Sequence, residues 1–586
     1  MLKGLRDLGQ LLILQANVEV QHLKIALEAY DLASQTVDLL RKTYRAEAAQ
    51  IVLQENATPL FEAAIEVCRQ LWELTKDTSY LERAFQFSEK NKSVVLQASI
   101  QAEAAIRFAA LPAAVQAEEE ALKNRLTSRT ERYYQERDRG AASLEDSLDY
   151  YHVQLIEAQS EYNNFLARLE SNYPDYYTLK FADKTATLRE VQQNLKAGDQ
   201  LLEYFWGEER LYRFLVTPSG IELSTLDSIK SFREALTEFV VELQDEAGVR
   251  NHSGTNTYAQ HFVEQAHFLY EKLIGELQRS EHGDLIVIPD AELHALPFEV
   301  LLTRKVANFT GEDYGTLPYL IRQRPLRYAY STRFITAAKD SDKATGMLAY
   351  APAYPGVIDS VFAARDGFTP LAYTEQEVTA VQAMTGGEVL IGQQATKANF
   401  LANAADYGTL HLAMHAYTND EAPQLSALVF AGGNKDSLNA NKLHAYELYE
   451  LSLRANLVVL SACNTGAGKI ARGEGNHSLA RAFRQAGAAN ILMSYWQADD
   501  ETTSQLMQRF YLHLSDGQPK AQALRQAKLD LLEASNRKVH PYYWASFVLL
   551  GDADGVSFIQ PWRWWYGVLG LGAFTLLFLV WARIKS

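Results

Sequence analysis

A histidine and a cysteine each follow an apolar run that has the length and composition of a buried strand. His415 follows Thr409–Met414, and Cys463 follows Leu457–Ala462. If the two strands are neighbours in a sheet, their ends bring an imidazole and a thiol together at one edge, as a cysteine nucleophile requires to be held as a thiolate. The spacing alone leaves this contact open. The alternative is that Cys463 is a small buried apolar residue, which is the commonest role of a free cysteine.

Other chemistries have little support in the same segments. His411 and His415 are four residues apart, but HLAMH lacks the glutamate of a zinc-protease helix and lies in a predicted strand, where such residues are about 13 Å apart. The segment Cys463–Ile470 resembles a phosphate-binding loop only at Gly468-Lys469. No G-x-S-x-G element surrounds a serine at a strand end. We therefore predict neither a metal site nor a cofactor.

Length and composition restrict the class of protein. A chain of 586 residues is too long for one ordinary domain, and we expect about three structural units. With 56 Lys and Arg against 72 Asp and Glu, the formal charge is −16, and no basic block indicates nucleic-acid binding. The two cysteines, Cys68 and Cys463, lie in different predicted domains, which excludes a disulfide framework. We expect protein partners and no nucleic acid.

The elements that precede the candidate site are helical. Periodicity typical of amphipathic helices extends over residues 1–172, which we interpret as tetratricopeptide-like helical hairpins that end in a long charged hairpin. A generic helical bundle is the alternative. The pattern changes at Tyr173-Pro174, and residues 173–338 have the pattern of a small α/β unit that opens with a β-hairpin, Leu201–Trp206 and Leu211–Thr217.

Strands and helices alternate over residues 339–558, the segment that contains both His415 and Cys463. One of its helices is predicted to start at Thr374 with a Thr374/Glu377 capping box. Alternation of this kind predicts a mainly parallel sheet covered by helices on both faces, with functional groups at the carboxyl ends of its strands.

The last segment, residues 559–586, has the pattern of a membrane anchor. Trp564–Ala582 is uncharged and would span roughly 28 Å at about 1.5 Å per residue, with tryptophans at both edges. A buried terminal helix is the alternative. The start of the chain shows no export signal. We therefore expect a single-pass C-terminal transmembrane anchor, membrane localisation and a catalytic part in the cytoplasm.

Six segments carry a resemblance to a known family: VIPDAELHALPFEVLL (287–302), LHLAMHA (410–416), SALVF (426–430), LVVLSACNTGAG (457–468), GEGNHSLARAFRQAGAANILMSYWQADDETTSQLMQRFY (473–511) and YYWASFVLLGD (542–552). Together they resemble the CHAT family, caspase-like (clan CD) cysteine peptidases of bacteria that commonly follow tetratricopeptide-type repeats. The resemblance implies that residues 173–338 form a degenerate caspase-like half and residues 339–558 the catalytic half. The fold class implied is multidomain, an α-helical region followed by a caspase-like α/β fold and, in this chain, a transmembrane helix.

The resemblance also implies roles for the two strand-end residues. Cys463 would be the nucleophile and His415 the general base of a dyad that forms an acyl-enzyme with a peptide carbonyl. Backbone N–H groups of Cys463 and Ala416 would bind the oxyanion. Most members have glycine at the position of Ala416, so this chain loses access to positive φ there.

Acidic residues further along the chain are candidates for substrate binding. Asp499 and Asp500 resemble the floor of a pocket for a basic P1 side chain, which carboxylates bind strongly. The alternative is that they only cap the helix that follows. Glu474 lies in a loop that lines the substrate cleft in the family, and a loop-stabilising role explains it equally well.

We therefore predict a membrane-anchored cysteine endopeptidase that cleaves a protein substrate. A regulatory protein bound by the helical repeats would control it, since such repeats form extended binding surfaces. The alternative is a catalytically silent scaffold that mediates protein–protein interaction, which the loss of the glycine at Ala416 favours and the presence of His415 and Cys463 disfavours.

Overall fold

The structure is a computed structural model. It describes residues 19–558 apart from 44–46, 109–110, 139–144, 181–184, 228, 253–254, 276–281, 337–342, 355–370, 433–440, 463–464, 467, 472, 498, 535–538 and 557. Three layers are present: a helical N-terminal region, a long twisted sheet, and helices on the sheet's faces.

The N-terminal region is built of helices. They are α1 (Val20–Thr43), α2 (Glu47–Thr75), α3 (Ser79–Glu89), α4 (Val94–Phe108), α5 (Ala113–Asp138), α6 (Glu145–Asn172), α7 (Pro174–Lys180) and α8 (Leu188–Asn194). Helix α8 shows why these segments begin where they do: the Thr187 side chain accepts the Glu190 N–H, and the Glu190 carboxylate binds Thr187 in return.

The next part of the chain begins the sheet. It comprises β1 (Gln200–Trp206), β2 (Arg210–Thr217), β3 (Gly220–Asp227), α9 (Ile229–Gln244), α10 (Glu246–His252), α11 (Asn256–Leu273), β4 (Leu285–Ile288), β5 (Leu326–Tyr328) and α12 (Arg333–Thr336). The predicted hairpin is confirmed, because β1 and β2 pair antiparallel over their full length. Strand β3, which the sequence reading did not predict, extends this hairpin to a meander.

The last part of the chain supplies the other strands of this sheet, two smaller sheets and further helices. They are β6 (Met347–Pro352), α13 (Thr374–Thr385), β7 (Glu388–Gly392), α14 (Lys397–Asn403), β8 (Thr409–Ala413), β9 (Ala416–Tyr417), β10 (Ala427–Val429), β11 (Lys442–His444), α15 (Ala445–Leu448), β12 (Leu457–Ser461), β13 (Lys469–Ala471), β14 (Gly475–His477), α16 (Leu479–Gln485), β15 (Asn490–Ser494), α17 (Asp500–Ser515), α18 (Lys520–Glu533), α19 (Pro541–Trp544) and β16 (Phe547–Leu550).

One sheet runs through both α/β units in the order β3-β2-β1-β4-β5-β16-β15-β12-β8-β6-β7. Strands β4, β5, β6, β8 and β12 pair in parallel with their neighbours. The two halves meet where Tyr328 of β5 pairs with Leu550 of β16. The prediction of a mainly parallel sheet is confirmed. The central strands β8 and β12 are buried throughout, which explains their uninterrupted apolar sequences.

Helices α1 to α3 pack on one face of this sheet. Inward side chains of α1 to α3, such as Tyr30, Phe61 and Phe85, share a core with Phe214 of β2. Phe85 meets Phe214 edge to face at 5.8 Å between ring centroids. The helical region is therefore joined to the sheet by an apolar core.

Two sequence predictions need correction. Glu377 does not form a capping box with Thr374: Tyr373 is the N-cap residue without a side-chain hydrogen bond, and the Glu377 carboxylate is drawn into the core, where it binds His411 at 2.8 Å. The transmembrane helix is not supported either, because no helix among the described residues is both long and apolar enough to cross a bilayer.

Helices α5 and α6 are among the longest of the described part, and both carry charged side chains along much of their length. The predicted span, Trp564–Ala582, lies outside the described residues. The fold class is therefore corrected to an α-helical N-terminal region followed by a mainly parallel α/β sheet, and the membrane anchor, membrane partner and membrane localisation are withdrawn with it.

Candidate active site

The ends of β8 and β12 define the candidate site. The two strands are adjacent and parallel, with Ala413 paired to Ser461. His415 follows Ala413 by two residues, and position 463 follows Ser461 by two. Because parallel strands end at the same edge of a sheet, both segments leave the sheet side by side. Cys463 itself lies outside the described residues.

His415 is held by a tyrosine that the sequence reading missed. Its side chain is nearly buried, with 6% of the residue exposed. The backbone N–H of His415 donates to the Tyr354 hydroxyl at 3.2 Å, and this hydroxyl donates to the Val429 carbonyl oxygen at 2.7 Å. The two rings lie 5.1 Å apart between centroids. Burial raises the pKa of Tyr354, so that its hydroxyl remains a donor.

Ala416 lies in a conformation that does not require glycine. The Val429 N–H donates to the His415 carbonyl oxygen at 3.0 Å, and Ala416 is the next residue, opposite Leu428. Hydrogen-bonded and non-hydrogen-bonded pairs alternate in an antiparallel ladder, so the N–H of Ala416 points away from β10. Among the described residues, Ala416 is not one of those with positive φ. Alanine is therefore compatible with the backbone conformation at this position.

A pocket of about 350 Å³ opens beside the two strand ends. Met414 and Ala462, the residues immediately before His415 and position 463, both line it. Asp499 and Asp500 line it from the start of α17. The Ser494 hydroxyl of β15 donates to the Ala462 carbonyl oxygen at 2.6 Å and fixes the chain just before position 463.

The two aspartates have structural contacts as well as a place in the pocket. Asp499 caps α17, since its Oδ1 accepts the Thr502 N–H at 3.0 Å and the Thr502 hydroxyl at 2.7 Å. Asp500 instead accepts the Tyr373 N–H at 2.9 Å. Burial raises the pKa of Asp500, and the nearby charge of Glu377 adds to the shift. Capping and pocket lining thus coexist at this end of α17.

A second pair of charged residues reaches the pocket from the other half of the sheet. Glu246 and Arg250 of α10 line it and form an ion pair with each other. They precede His415 by more than a hundred residues in the chain, and no local pattern in the sequence marks them. Their place in the pocket follows from the strand order, because β5 and β16 pair and bring the two halves of the sheet together.

Glu474 lies in the protein interior and not in the pocket. Its residue is fully buried, its Oε2 lies 3.0 Å from Arg481 Nη2, and its Oε1 accepts the Val95 N–H at 2.9 Å. The predicted substrate contact is corrected for this structure, because both carboxylate oxygens already have protein partners. His411, for which the sequence predicted no zinc site, binds the Glu377 carboxylate and the Tyr511 hydroxyl.

Curated relatives share a modest part of the chain. Tetratricopeptide repeat protein 28 of Homo sapiens is 24% identical over 307 residues, and that of Mus musculus is 24% identical over 318 residues. Each alignment covers 46% of this chain and 12% of the relative, so the chain spans about an eighth of the length of these relatives.

Likeness to solved structures is weak. The Arg-specific cysteine proteinase gingipain R (RgpB) of Porphyromonas gingivalis is 13% identical, with a TM-score of 0.31, over 56% of this chain and 77% of that one. The Saccharomyces cerevisiae separase–securin complex is 8% identical, with a TM-score of 0.43, over 87% of this chain and 37% of that one. At such TM-scores neither likeness bears on the function of this chain.

The family model described as the CHAT domain matches residues 263–552. This range begins within α11 and ends just after β16, and it includes His415, position 463 and both pocket aspartates. Helix α10, with Glu246 and Arg250, lies before it. The chain therefore carries a CHAT domain at residues 263–552, as its motifs predicted.

Proposed function

We propose that this protein is a caspase-like cysteine endopeptidase in which Cys463 is the nucleophile and His415 the general base. The pairing of Ala413 with Ser461 is the observation that supports the proposal, since His415 and Cys463 are each the second residue in the sequence after one member of this pair. The pocket lined by Met414 and Ala462 provides room for a substrate side chain at that point.

The chemistry follows from these positions. His415 takes the thiol proton, and the Cys463 thiolate attacks the scissile carbonyl carbon. The oxyanion formed is bound by the N–H groups of Ala416 and Cys463. When the C–N bond breaks, His415 returns the proton to the leaving amine, and water then hydrolyses the thioester to free the acid and the thiol.

The charges of the pocket favour a basic P1 side chain. Asp499, Asp500 and Glu246 contribute three carboxylates to the lining, against the one guanidinium of Arg250. A substrate arginine can bind such carboxylates through a planar fork of donors, which makes the contact directional.

Regulation by a protein partner is part of the proposal, and the helical region is its proposed docking region. Ile25, Leu32 and Leu39 of α1 are each more than 40% exposed and follow one another at seven-residue spacing. They therefore share one outward face of that helix, opposite its core-facing residues. An apolar stripe of this kind suits contact with another protein.

The experiment that tests the proposal is cleavage of a mixed peptide library by the full chain, beside Cys463→Ala and His415→Ala. We expect cleavage that both substitutions abolish, with faster turnover of peptides with Arg or Lys at P1 than of those with Asp or Leu. Equal rates for all P1 residues would remove the basic pocket. Cleavage that survives both substitutions would remove the dyad.

The silent scaffold is distinguished by the thiol itself. Cys68 is fully buried, and burial raises the pKa of its thiol, so it is an internal reference for an unreactive cysteine. If a thiolate-specific alkylating reagent labels Cys463 no faster than Cys68, the scaffold is the better description.

A further inference from the structure

The chain that follows position 463 is docked onto the N-terminal helical region. The segment Gly473–Gly475 meets the turn Lys90–Ser93 between α3 and α4: the Ser93 N–H donates to the Gly473 carbonyl oxygen at 2.6 Å. Gly473 has φ of +75°, and a Cβ there would lie 2.4 Å from the Asn91 carbonyl oxygen. Glycine is thus required at 473 for the two backbones to approach.

The turn is itself anchored to the sheet. The Glu89 carboxylate accepts the Thr332 N–H at 3.2 Å, and the Lys92 ammonium donates to the Tyr204 carbonyl oxygen of β1. Ser93 adopts φ of +48°, which is uncommon for a residue other than glycine and is maintained here by the surrounding contacts. The turn therefore offers a fixed support to the segment docked on it.

Glu474 makes the central contact of this docking. Its carboxylate joins the first turn of α4, through the Val95 N–H, to Arg481 of α16, whose Nη1 also donates to the Glu474 carbonyl oxygen at 2.9 Å. The side chains of Glu474 and Arg481 are at most 4% exposed. A buried ion pair of this kind is costly to break, because removal of one partner leaves the other charge uncompensated.

The same segment supports the loop after the nucleophile. The Asn476 side-chain amide donates to the Gly466 carbonyl oxygen at 2.6 Å, and the Ala480 N–H donates to the Thr465 carbonyl oxygen at 3.2 Å. Thr465 and Gly466 are the second and third residues after position 463. A contiguous set of contacts therefore runs from the helical region through Glu474 to the nucleophile loop.

We infer that Glu474 is a positioning residue that holds Thr465 and Gly466 against the turn Lys90–Ser93 and thereby sets the reactivity of the Cys463 thiol. This inference rests on the proposed function. It makes the helical region a structural part of the active site. A protein that binds the helices and shifts this turn changes the position of the nucleophile loop, which gives the proposed partner a route to the site.

Two substitutions disturb the docking by different means. Glu474→Gln keeps the shape of the side chain but leaves Arg481 without its counter-charge. Gly473→Ala leaves the ion pair intact but forces the two backbones apart. Glu299→Gln is the matched control, since Glu299 forms an equally buried ion pair with Lys528 at 3.2 Å and is not placed in the site.

The test is the rate at which iodoacetamide alkylates Cys463 in the full chain, followed across pH, together with amide hydrogen exchange of residues 88–97 and 465–478. We expect both docking variants to react about tenfold or more slowly than wild type, and both segments to exchange faster. Glu299→Gln should leave the alkylation rate and these two segments unchanged, even if it lowers the thermal midpoint.

The outcomes separate this inference from the proposed function. Docking variants with rates equal to that of Glu299→Gln, or faster than wild type, would overturn the positioning role. If wild-type Cys463 reacts no faster than Cys68, the proposed function fails, and the exchange data alone then test whether Glu474 docks the segment. Faster exchange in both segments then supports the docking by Glu474, and unchanged exchange in the docking variants overturns it.

Discussion

At the scale of single residues, the candidate site depends on hydroxyl and carboxylate groups that stand far from His415 in the chain. Tyr354 follows β6, and Asp500 begins α17, yet both meet at the edge formed by β8 and β12. His415 could be proposed from its position after an apolar run, and Asp499 and Asp500 from the family resemblance. Tyr354 could not, because its role depends on a β9–β10 ladder that no local pattern reveals.

Loss of the Tyr354 hydroxyl should lower turnover. Tyr354→Phe removes the hydroxyl that bridges the His415 backbone N–H and the Val429 carbonyl oxygen. The backbone of His415 loses this support, so its imidazole is less well positioned. We expect kcat to fall about tenfold while KM changes little. Tyr350→Phe is the control, because Tyr350 is also buried and its hydroxyl has no hydrogen-bond partner within the described part of the chain. A similar loss in both variants would refute a specific role.

The raised pKa of Asp500 predicts a pH-dependent specificity. Ionised Asp500 attracts a basic P1 side chain, and protonation removes that attraction. KM for arginine peptides should therefore rise as pH falls through this pKa, at a higher pH than an ordinary aspartate would give, while KM for leucine peptides stays constant. Asp500→Asn should abolish the difference, and Glu501→Gln, outside the pocket lining, should retain it. Parallel pH profiles for both peptides would contradict the assignment.

At the scale of elements, sequence patterns predicted the positions of strands but not the contacts that side chains make between elements. The apolar runs at β8, β12 and the β1–β2 hairpin were predicted because buried strands need them. The Thr374/Glu377 capping box was wrong because the buried His411 imidazole competes for the Glu377 carboxylate. Glu474 was assigned to the cleft from the family resemblance, with a loop-stabilising role as the alternative. Its contacts with Val95 and Arg481 support that alternative, and they depend on tertiary structure that no local pattern reveals.

His294 is buried with its ring next to Gly475 of the docked segment, and it should make the folded state sensitive to acid. Burial, with the charges of Lys92 and Arg481, lowers the pKa of His294 to about 4 from an unfolded value of 6.5. The folded state thus favours neutral His294, and stability is lost as pH falls from about 6.5 towards 4. At about 1.4 kcal/mol per pKa unit the loss approaches about 3 kcal/mol. His294→Gln should flatten the decline of the thermal midpoint with pH; an unchanged slope would contradict this.

At the scale of the whole molecule, the first helices of the chain and the sheet share one apolar core. Phe85 of α3 is fully buried against Phe214 of β2, within a core shared by both regions. The division into residues 1–172, 173–338 and 339–558 remains a prediction from the sequence pattern. One sheet continues through the last two regions, and composition alone does not reveal such contacts between regions.

Weakening that shared core should destabilise both regions. Phe85→Ala removes a large buried ring and should cost about 3–5 kcal/mol. We expect a lower thermal midpoint and faster amide exchange in β1 and β2 as well as in α1 to α3. Leu74→Ala, at a side chain that is 58% exposed, should change stability by about 0.5 kcal/mol at most. Exchange that increases in the helices alone would show that the helical region is an independent module.

The measurement that tests the account most directly is the pH dependence of Cys463 alkylation in the full chain and in His415→Ala. We expect wild-type Cys463 to react faster than Cys68, with a midpoint below the ordinary cysteine pKa of about 8.5. His415→Ala should raise this midpoint and slow the reaction at neutral pH. A Cys463 that reacts no faster than Cys68, or a pH profile that His415→Ala leaves unchanged, would contradict the proposed dyad.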